Sequence, residues 1–154
     1  MSNRDVIFDL KQLRRSYKMG SETVHALDGV DLKIYDREFI AVIGTSGSGK
    51  STLMHLLGFM DSPSAGQMWF EGEEVSSIGG ARRAELRSNR IGFVFQAFNL
   101  LPRLCVLDNV ILPLTYARHK GESARDLGIA ALERVGMGHR SGHTPSQLSG
   151  GERQ

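Results

Sequence analysis

The alternation of hydrophobic and polar positions near the start of the chain predicts two paired strands. Between residues 6 and 17 apolar side chains partly alternate with charged ones, as in a strand with one buried face. The same alternation recurs from Val30 to Ile34, after a Gly/Ser turn at Met19–Glu22. We therefore expect an antiparallel ribbon in the first 35 residues.

Two later segments are continuously apolar. Phe39–Ile43 (FIAVI) and Ile91–Phe95 (IGFVF) are rich in β-branched and aromatic residues and contain no polar side chain. Such runs are typical of strands that are covered on both faces in a parallel sheet. Shorter strands are predicted at Met68–Phe70 and Glu74–Val75, on either side of a turn at Gly72.

Helices are predicted both before and after Gln96, and after it they replace strands altogether. Leucine, methionine and charged residues at helical spacing mark four segments, with a short turn near Ser146: Lys50–Met60, Ala81–Arg90, Val106–Tyr116 and Ser123–Val135. The order of the elements predicts an α/β fold, a core with a mainly parallel sheet and an antiparallel N-terminal ribbon. We expect this core to occupy residues 1–96 and a helical subdomain to occupy residues 97–154.

Composition restricts the kind of protein. The 154 residues suffice for one domain with a sizeable core. A net charge of +2, from 19 basic and 17 acidic side chains, lacks the basic excess of nucleic-acid-binding domains, so no nucleic acid partner is expected. The single cysteine, Cys105, excludes an internal disulfide. We find neither a secretory signal nor a run of about 20 apolar residues that could cross a bilayer.

A glycine-rich motif carries the first chemical signal. The pattern G-x-x-x-x-G-K-[ST] lies between the predicted strand Phe39–Ile43 and a predicted helix, and it consists of Gly44, Thr45, Ser46, Gly47, Ser48, Gly49, Lys50 and Ser51, followed by Thr52. Glycines allow successive backbone N–H groups to point at phosphate oxygens. The Lys50 ammonium is expected to reach the β- and γ-phosphates of ATP and the Ser51 hydroxyl to bind Mg²⁺. A flexible Gly/Ser loop would need neither of these two side chains.

The end of the chain indicates which phosphate-loop family this is. Leu148–Gln154 reads LSGGERQ, which resembles the signature of ATP-binding cassette (ABC) ATPases. Gln96, directly after IGFVF, matches the glutamine that this family places there, and Tyr17 lies where the family places an aromatic residue before the phosphate loop. The segments around the helix Lys50–Met60 and around Gln96 are similar to bacterial ATPases of the lipoprotein-release and macrolide-export type.

The resemblance implies a role for each of these residues. Tyr17 would stack on adenine, and the backbone of the glycine-rich motif with Lys50 would hold the phosphates. Gln96 would touch Mg²⁺ or the attacking water, so Lys50 and Gln96 are the candidate catalytic residues and Ser51 and Gln96 the candidate metal ligands. The signature would contact ATP held by a facing subunit, through Ser149, Gly150, Gly151 and Glu152.

The resemblance also implies partners and an activity. We expect an ATPase subunit on the cytoplasmic face of the inner membrane, paired head-to-tail with a second such subunit and driving a separate permease. In the family a catalytic Asp and Glu and a switch histidine follow the signature, which ends this sequence, so we expect the 154 residues alone to be inactive. The alternatives are a soluble ABC-type ATPase of translation or DNA maintenance, and a P-loop kinase or GTPase outside the family.

Simpler interpretations of the same residues remain open at this stage. Gln96 could be a polar residue at a strand end, Tyr17 an aromatic residue at a strand edge, and Ser149 a helix N-cap. His139 and His143 lie in a glycine-rich stretch without a third ligand nearby, which favours a loop over a metal site.

Overall fold

The computed structural model describes residues 5–115 and 123–154. These form two compact units, a first one that ends at Gly92 and a second one from Phe93 to Gln154. Each unit is considered by itself. None of the helices built from the described residues has the length and apolarity needed to cross a membrane.

The first unit contains a four-stranded antiparallel sheet. Its strands are arranged in the order β2-β1-β3-β4 and comprise β1 Val6–Met19, β2 Glu22–Tyr35, β3 Ala65–Phe70 and β4 Glu73–Glu74. The predicted ribbon is confirmed as the β1–β2 pair, with Val6 opposite Tyr35 and Met19 opposite Glu22. The register shifts between Leu10 and Leu13. There the Gln12 backbone N–H donates to the Asp31 carboxylate at 2.8 Å, so a side chain satisfies a group that the ladder leaves unpaired.

Two helices complete the first unit, α1 (Lys50–Leu57) and α2 (Gly80–Arg90). Helix α1 ends three residues before the predicted end at Met60, because Phe59 adopts φ +55° and its ring turns into the core. There the Phe59 ring packs edge to face on Phe70, with 5.3 Å between the ring centroids, and its centroid lies 6.0 Å from that of Phe8. This aromatic cluster and the fully buried Leu56 hold α1 against the sheet.

The two predicted buried strands are not formed, which corrects the sequence-based expectation. Phe39–Ile43 and Ile91–Phe95 have no strand hydrogen bonding in the described residues. Phe39, Ile43 and Val94 are 95%, 89% and 84% exposed. A run of apolar residues becomes a strand only when a neighbour pairs with its backbone, and no described strand pairs with either segment. The strands that the described residues do form are all antiparallel.

The second unit is helical. It contains α3 (Val106–Ile111), α4 (Ala124–Arg134), α5 (Gly150–Arg153) and three 3₁₀ turns, at Leu112–Thr115, Gly138–Arg140 and Pro145–Gln147. Its core consists of Val106, Leu107, Leu132 and Leu148. Helices α3 and α4 approach closely at Gly128, where a Cβ atom would come within 2.3 Å of Ile111 and 2.8 Å of Leu107.

Helix α3 is shorter than the predicted Val106–Tyr116. It ends at Ile111 and continues as a 3₁₀ turn. Pro113 has no N–H to donate to the carbonyl of Asn109, so the α-helical ladder stops there. Tyr116 lies outside the described residues. The predicted boundary between a core domain and a helical subdomain, after Gln96, stays a prediction.

Candidate phosphate-binding site and signature segment

The predicted phosphate loop, Gly44–Ser51, folds back on itself immediately before α1. Gly47 and Gly49 have φ of +80° and +88°, the left-handed region in which other residues are strained. The Ser48 N–H donates to the Thr45 carbonyl at 3.3 Å, which closes the turn. Helix α1 begins at Lys50, directly after Gly49. The glycines of the motif therefore occupy the positions at which this reversal requires them.

Gly49 also lets the loop lie directly against β2. A Cβ atom at this position would come within 2.4 Å of the Ala26 carbonyl oxygen and 2.9 Å of the Leu27 side chain. Leu27 belongs to the core of the first unit, so the start of α1 is fixed relative to the sheet. A larger residue at position 49 would have to move either the loop or β2.

Lys50 holds its ammonium group inside the loop. Its Nζ donates to the Gly44 carbonyl at 2.9 Å and to the Thr45 carbonyl at 2.6 Å. Among the described carboxylates, none forms an ion pair with it. The loop thus carries a positive charge that carbonyl dipoles position and no acidic side chain neutralises.

A cavity of about 510 Å³ opens beside this loop. It is lined by one segment of β2 and by the loop with the first turn of α1, namely Val24, His25, Ala26, Ser46, Gly47, Ser48, Gly49, Lys50, Ser51 and Thr52. The lining offers backbone N–H groups, one ammonium and several hydroxyls, and it includes no carboxylate. These donors fit a polyanion with a hard cation, since phosphate oxygens accept from N–H groups and Mg²⁺ prefers oxygen ligands such as the exposed Ser51 hydroxyl.

Tyr17 lies in a polar cluster at the end of β1. Its hydroxyl donates to the Asp61 carboxylate at 2.8 Å, and the Arg15 guanidinium lies 4.5 Å from its ring centroid. Arg15 and Asp61 form an ion pair at 2.8 Å. Burial opposes ionisation of Asp61, but hydrogen bonds from the Ser62 N–H and the Tyr17 hydroxyl, with the Arg15 charge, lower its pKa. Tyr17 does not line the cavity beside the phosphate loop, and its predicted role at adenine stays a prediction.

Gln96 is exposed and lies in a bend directly after Ile91–Phe95. It belongs to the second unit, whereas Ser51, the other predicted Mg²⁺ ligand, belongs to the first. Within residues 5–115 and 123–154, no group of three His, Cys, Asp or Glu side chains could hold a metal ion. That includes His139 and His143, whose predicted loop is a 3₁₀ helix at Gly138–Arg140 followed by a hydrogen-bonded turn.

The signature segment is built on a buried leucine and a helix cap. Leu148 is 6% exposed in the core of the second unit, and Ser149, the next residue, is exposed and caps α5. The Ser149 hydroxyl accepts from the Glu152 N–H at 3.3 Å, and the Ser149 N–H donates to the Glu152 carboxylate at 2.8 Å. Ser149 is therefore an N-cap, and the same reciprocal capping presents Gly150 and Gly151 at the surface.

Like Asp61, Glu152 has a lowered pKa. Hydrogen bonds from the backbone and side chain of Ser149, with one from Arg140, lower its pKa to about 2. The Arg140 Nε donates to the Glu152 carboxylate at 2.8 Å. Glu152 thus stays ionised at any physiological pH.

Comparison with known proteins identifies the family of this chain. Residues 27–154 match the ABC transporter family model, a range that includes the phosphate loop, Gln96 and the signature. The chain belongs to the ABC transporter family. The alternative of a kinase or GTPase outside the family is therefore wrong.

Several relatives of this ABC transporter chain are bacterial transport proteins. It is 48% identical over 154 residues to the lipoprotein-releasing system ATP-binding protein LolD of Pseudomonas syringae pv. tomato, covering 100% of this chain and 67% of that protein. It is 46% identical over 148 residues to the macrolide export ATP-binding/permease protein MacB of Chlorobaculum tepidum, covering 96% of this chain and 23% of that protein. None of these findings supports a role in translation or DNA maintenance.

Solved structures confirm the α/β cassette fold. The ATP-binding cassette MJ0796, in a dimeric post-hydrolysis state bound to ADP and Pi, matches with a TM-score of 0.83 and 36% identity. The match covers 96% of this chain and 65% of that one. The chain spans about two thirds of the length of MJ0796 and of the LolD relatives it matches.

The sequence alone did not find Arg15, Asp61 or Arg140. Asp61 is 46 residues from its partner Arg15, so neighbouring residues give no sign of the pair. Arg140 is 12 residues from Glu152 and belongs to no recognised motif. From the sequence alone, Arg140 could have been noted only as an ionisable residue shortly before the signature.

Proposed function

We propose that this chain is an ATP-binding subunit of an ABC transporter, which binds Mg-ATP to drive a separate membrane permease in export or lipoprotein release. The observation that carries the proposal is the loop geometry: Gly47 and Gly49 in left-handed conformation, with the Lys50 ammonium held at the loop by two carbonyls. The relatives named above support the transport role, because LolD and MacB are named for lipoprotein release and macrolide export.

In this proposal the phosphate loop binds the triphosphate. The N–H groups of Gly47 to Ser51 donate to phosphate oxygens. The Lys50 ammonium, which now donates to two loop carbonyls, donates to the β- and γ-phosphates instead. Ser51 supplies a hydroxyl ligand for Mg²⁺, and Thr52 follows it in the cavity lining. Bound Mg²⁺ neutralises charge on the phosphates.

The remaining site residues act around this centre. Tyr17 stacks on adenine. The Arg15 guanidinium lies over one face of the Tyr17 ring, so adenine would either displace it or stack on the opposite face. Gln96 reaches the Mg²⁺ or the attacking water and senses the permease. The signature, from Ser149 to Glu152, contacts the ATP of a facing subunit. The dimeric state of MJ0796 supports such a pairing of two copies.

The proposal includes an arrangement and a place in the cell. Residues 1–96 belong to the nucleotide-binding core and 97–154 to a helical subdomain. The subunit acts at the cytoplasmic face of the inner membrane, bound to the permease and to a second ATP-binding subunit.

We further propose that the 154 residues by themselves bind nucleotide at best weakly and hydrolyse essentially none of it. Hydrolysis requires a group that positions the attacking water and an acidic group that organises Mg²⁺. The residues lining the phosphate-loop cavity include no carboxylate. In this proposal binding and hydrolysis depend on different parts of the protein and separate in an assay.

The test is a titration with Mg-ATP, combined with a measurement of phosphate release. Lys50→Ala removes charge-assisted hydrogen bonds, and we expect ATP affinity to fall roughly tenfold to a hundredfold. The control is Lys33→Ala, since Lys33 is an exposed lysine paired with Asp9 on the ribbon, and ATP affinity should be unchanged. Equal binding by Lys50→Ala and the unmodified chain would refute the binding site. Steady, Lys50-dependent phosphate release would refute only the absence of hydrolysis.

A further inference from the structure

The segment before the signature is fixed to helix α3 through its backbone. The Leu107 N–H donates to the Ser141 carbonyl at 2.9 Å, and the Val106 N–H donates to the His143 carbonyl at 2.8 Å. These are first-turn N–H groups of α3, which have no partner within the helix. Since Val106 and Leu107 are also buried, residues 141–143 are fixed to the core of the second unit.

Arg140 extends from this fixed segment to the signature. Its Nε donates to the Glu152 carboxylate at 2.8 Å, and its Nη1 lies 3.3 Å from the His143 Nε2. The Arg140 and Glu152 side chains are 34% and 24% exposed, so the pair is partly shielded from water. An arginine has only donors, so the His143 Nε2 is the acceptor in this contact.

Glu152 passes this restraint on to Ser149. One carboxylate oxygen accepts from Arg140 and the other accepts from the Ser149 N–H. The Ser149 hydroxyl in turn accepts from the Glu152 N–H. Glu152 therefore connects the fixed segment to Ser149 in two ways, through its carboxylate to the Ser149 N–H and through its backbone N–H to the Ser149 hydroxyl.

We propose that Arg140 is a positioning residue for the signature: through Glu152 it holds the Ser149 hydroxyl in place for the nucleotide of a facing subunit. This rests on the proposed function, in which the signature contacts that nucleotide. Arg140 itself touches no nucleotide. Glu152 caps the first turn of α5, and its ion pair to Arg140 restrains that turn.

The first measurement is the hydrogen-exchange rate of the Ser149 amide in the absence of nucleotide. In Arg140→Gln the carboxylate loses its anchor, and we expect the Ser149 N–H to exchange faster. The matched control is Arg103→Gln, which makes the same charge change at an exposed arginine without an ion pair to any residue in the described parts of the chain. Thermal melting of each variant shows whether the fold is retained, and Arg140→Lys provides a milder variant that keeps the charge.

The second measurement is association of two copies in Mg-ATP, by sedimentation velocity, alongside ATP affinity. We expect Arg140→Gln to weaken association about tenfold, the size of one lost charge-assisted hydrogen bond, and to leave ATP affinity unchanged. Glu152→Gln keeps an acceptor for the Ser149 N–H but loses the ion pair, so it should cause a similar loss. The double variant should lose no more than either single one, because both act through one contact.

The outcomes separate the inference from the proposed function. An unchanged Ser149 exchange rate in Arg140→Gln, or losses of association that add in the double variant, would overturn the role of Arg140. If the unmodified protein binds ATP but shows no ATP-dependent association, the proposed pairing of two signatures is overturned instead. A parallel loss of ATP affinity in Arg140→Gln would show a general structural defect and would also overturn the inference.

Discussion

The close approach of Gly49 to β2 makes Gly49→Ala a direct test of how the phosphate loop is held. The added Cβ would come within 2.4 Å of the Ala26 carbonyl oxygen and 2.9 Å of the Leu27 side chain. Backbone atoms of a sheet cannot move away at low cost, so the contact cannot relax as it would against a flexible side chain. The substitution also places a Cβ at φ +88°.

The magnitude follows from these two effects. A residue other than glycine in the left-handed region costs about 1 to 2 kcal/mol. Crowding at a packed position adds about 1 to 3 kcal/mol. We therefore expect Gly49→Ala to lower the free energy of unfolding by about 2 to 5 kcal/mol. The crowding of the added Cβ can be relieved only if the loop moves away from β2. We expect this movement also to weaken ATP binding by about tenfold.

The assay is urea unfolding together with an ATP titration, and Gly20→Ala is the matched control. Gly20 lies in the turn between β1 and β2 with φ +64°, and a Cβ there would meet nothing within 4 Å. Both substitutions stiffen the unfolded chain to the same degree, so this contribution cancels in the comparison. Gly20→Ala should cost only the left-handed strain and leave ATP affinity unchanged. Equal destabilisation by the two substitutions would show that the contact with β2 does not hold the loop.

Two further predictions concern stability. Leu56→Ala, at a fully buried position of α1, should lower the free energy of unfolding by about 2 to 5 kcal/mol. Met54→Ala, on the exposed face of the same helix, should change it by less than about 0.5 kcal/mol. Urea unfolding measures both values, and similar losses would contradict the assigned core. The ionised Glu152, with its pKa lowered from 4.5 to about 2, should stabilise the fold fully above pH 4.5 and lose that effect as the pH falls towards 2. In Glu152→Gln the difference in stability from the unmodified protein should therefore shrink across this range, and a constant difference would contradict the assigned ionisation.

The β1–β2 ribbon and the phosphate loop could be predicted from the sequence because each depends on local information. Alternation of side chains defines a half-buried strand at any point along its length, and the pairing of neighbouring strands needs only a turn between them. The reversal at Gly47 and Gly49 is likewise a property of glycine itself. In the signature segment, Ser149 with Glu152 three residues later is a capping pattern that the sequence shows directly.

The tertiary structure decided what depends on distant partners. Phe39–Ile43 has the composition of a buried strand, but strand formation needs a neighbour whose backbone pairs with it, and composition cannot supply one. The pairing of Arg15 with Asp61 and of Arg140 with Glu152 depends on how the chain folds back over 46 and 12 residues. Local patterns thus determined the β1–β2 ribbon and the reversal of the glycine-rich loop, whereas the side-chain contacts that orient Tyr17 and Ser149 arise only once each unit has folded.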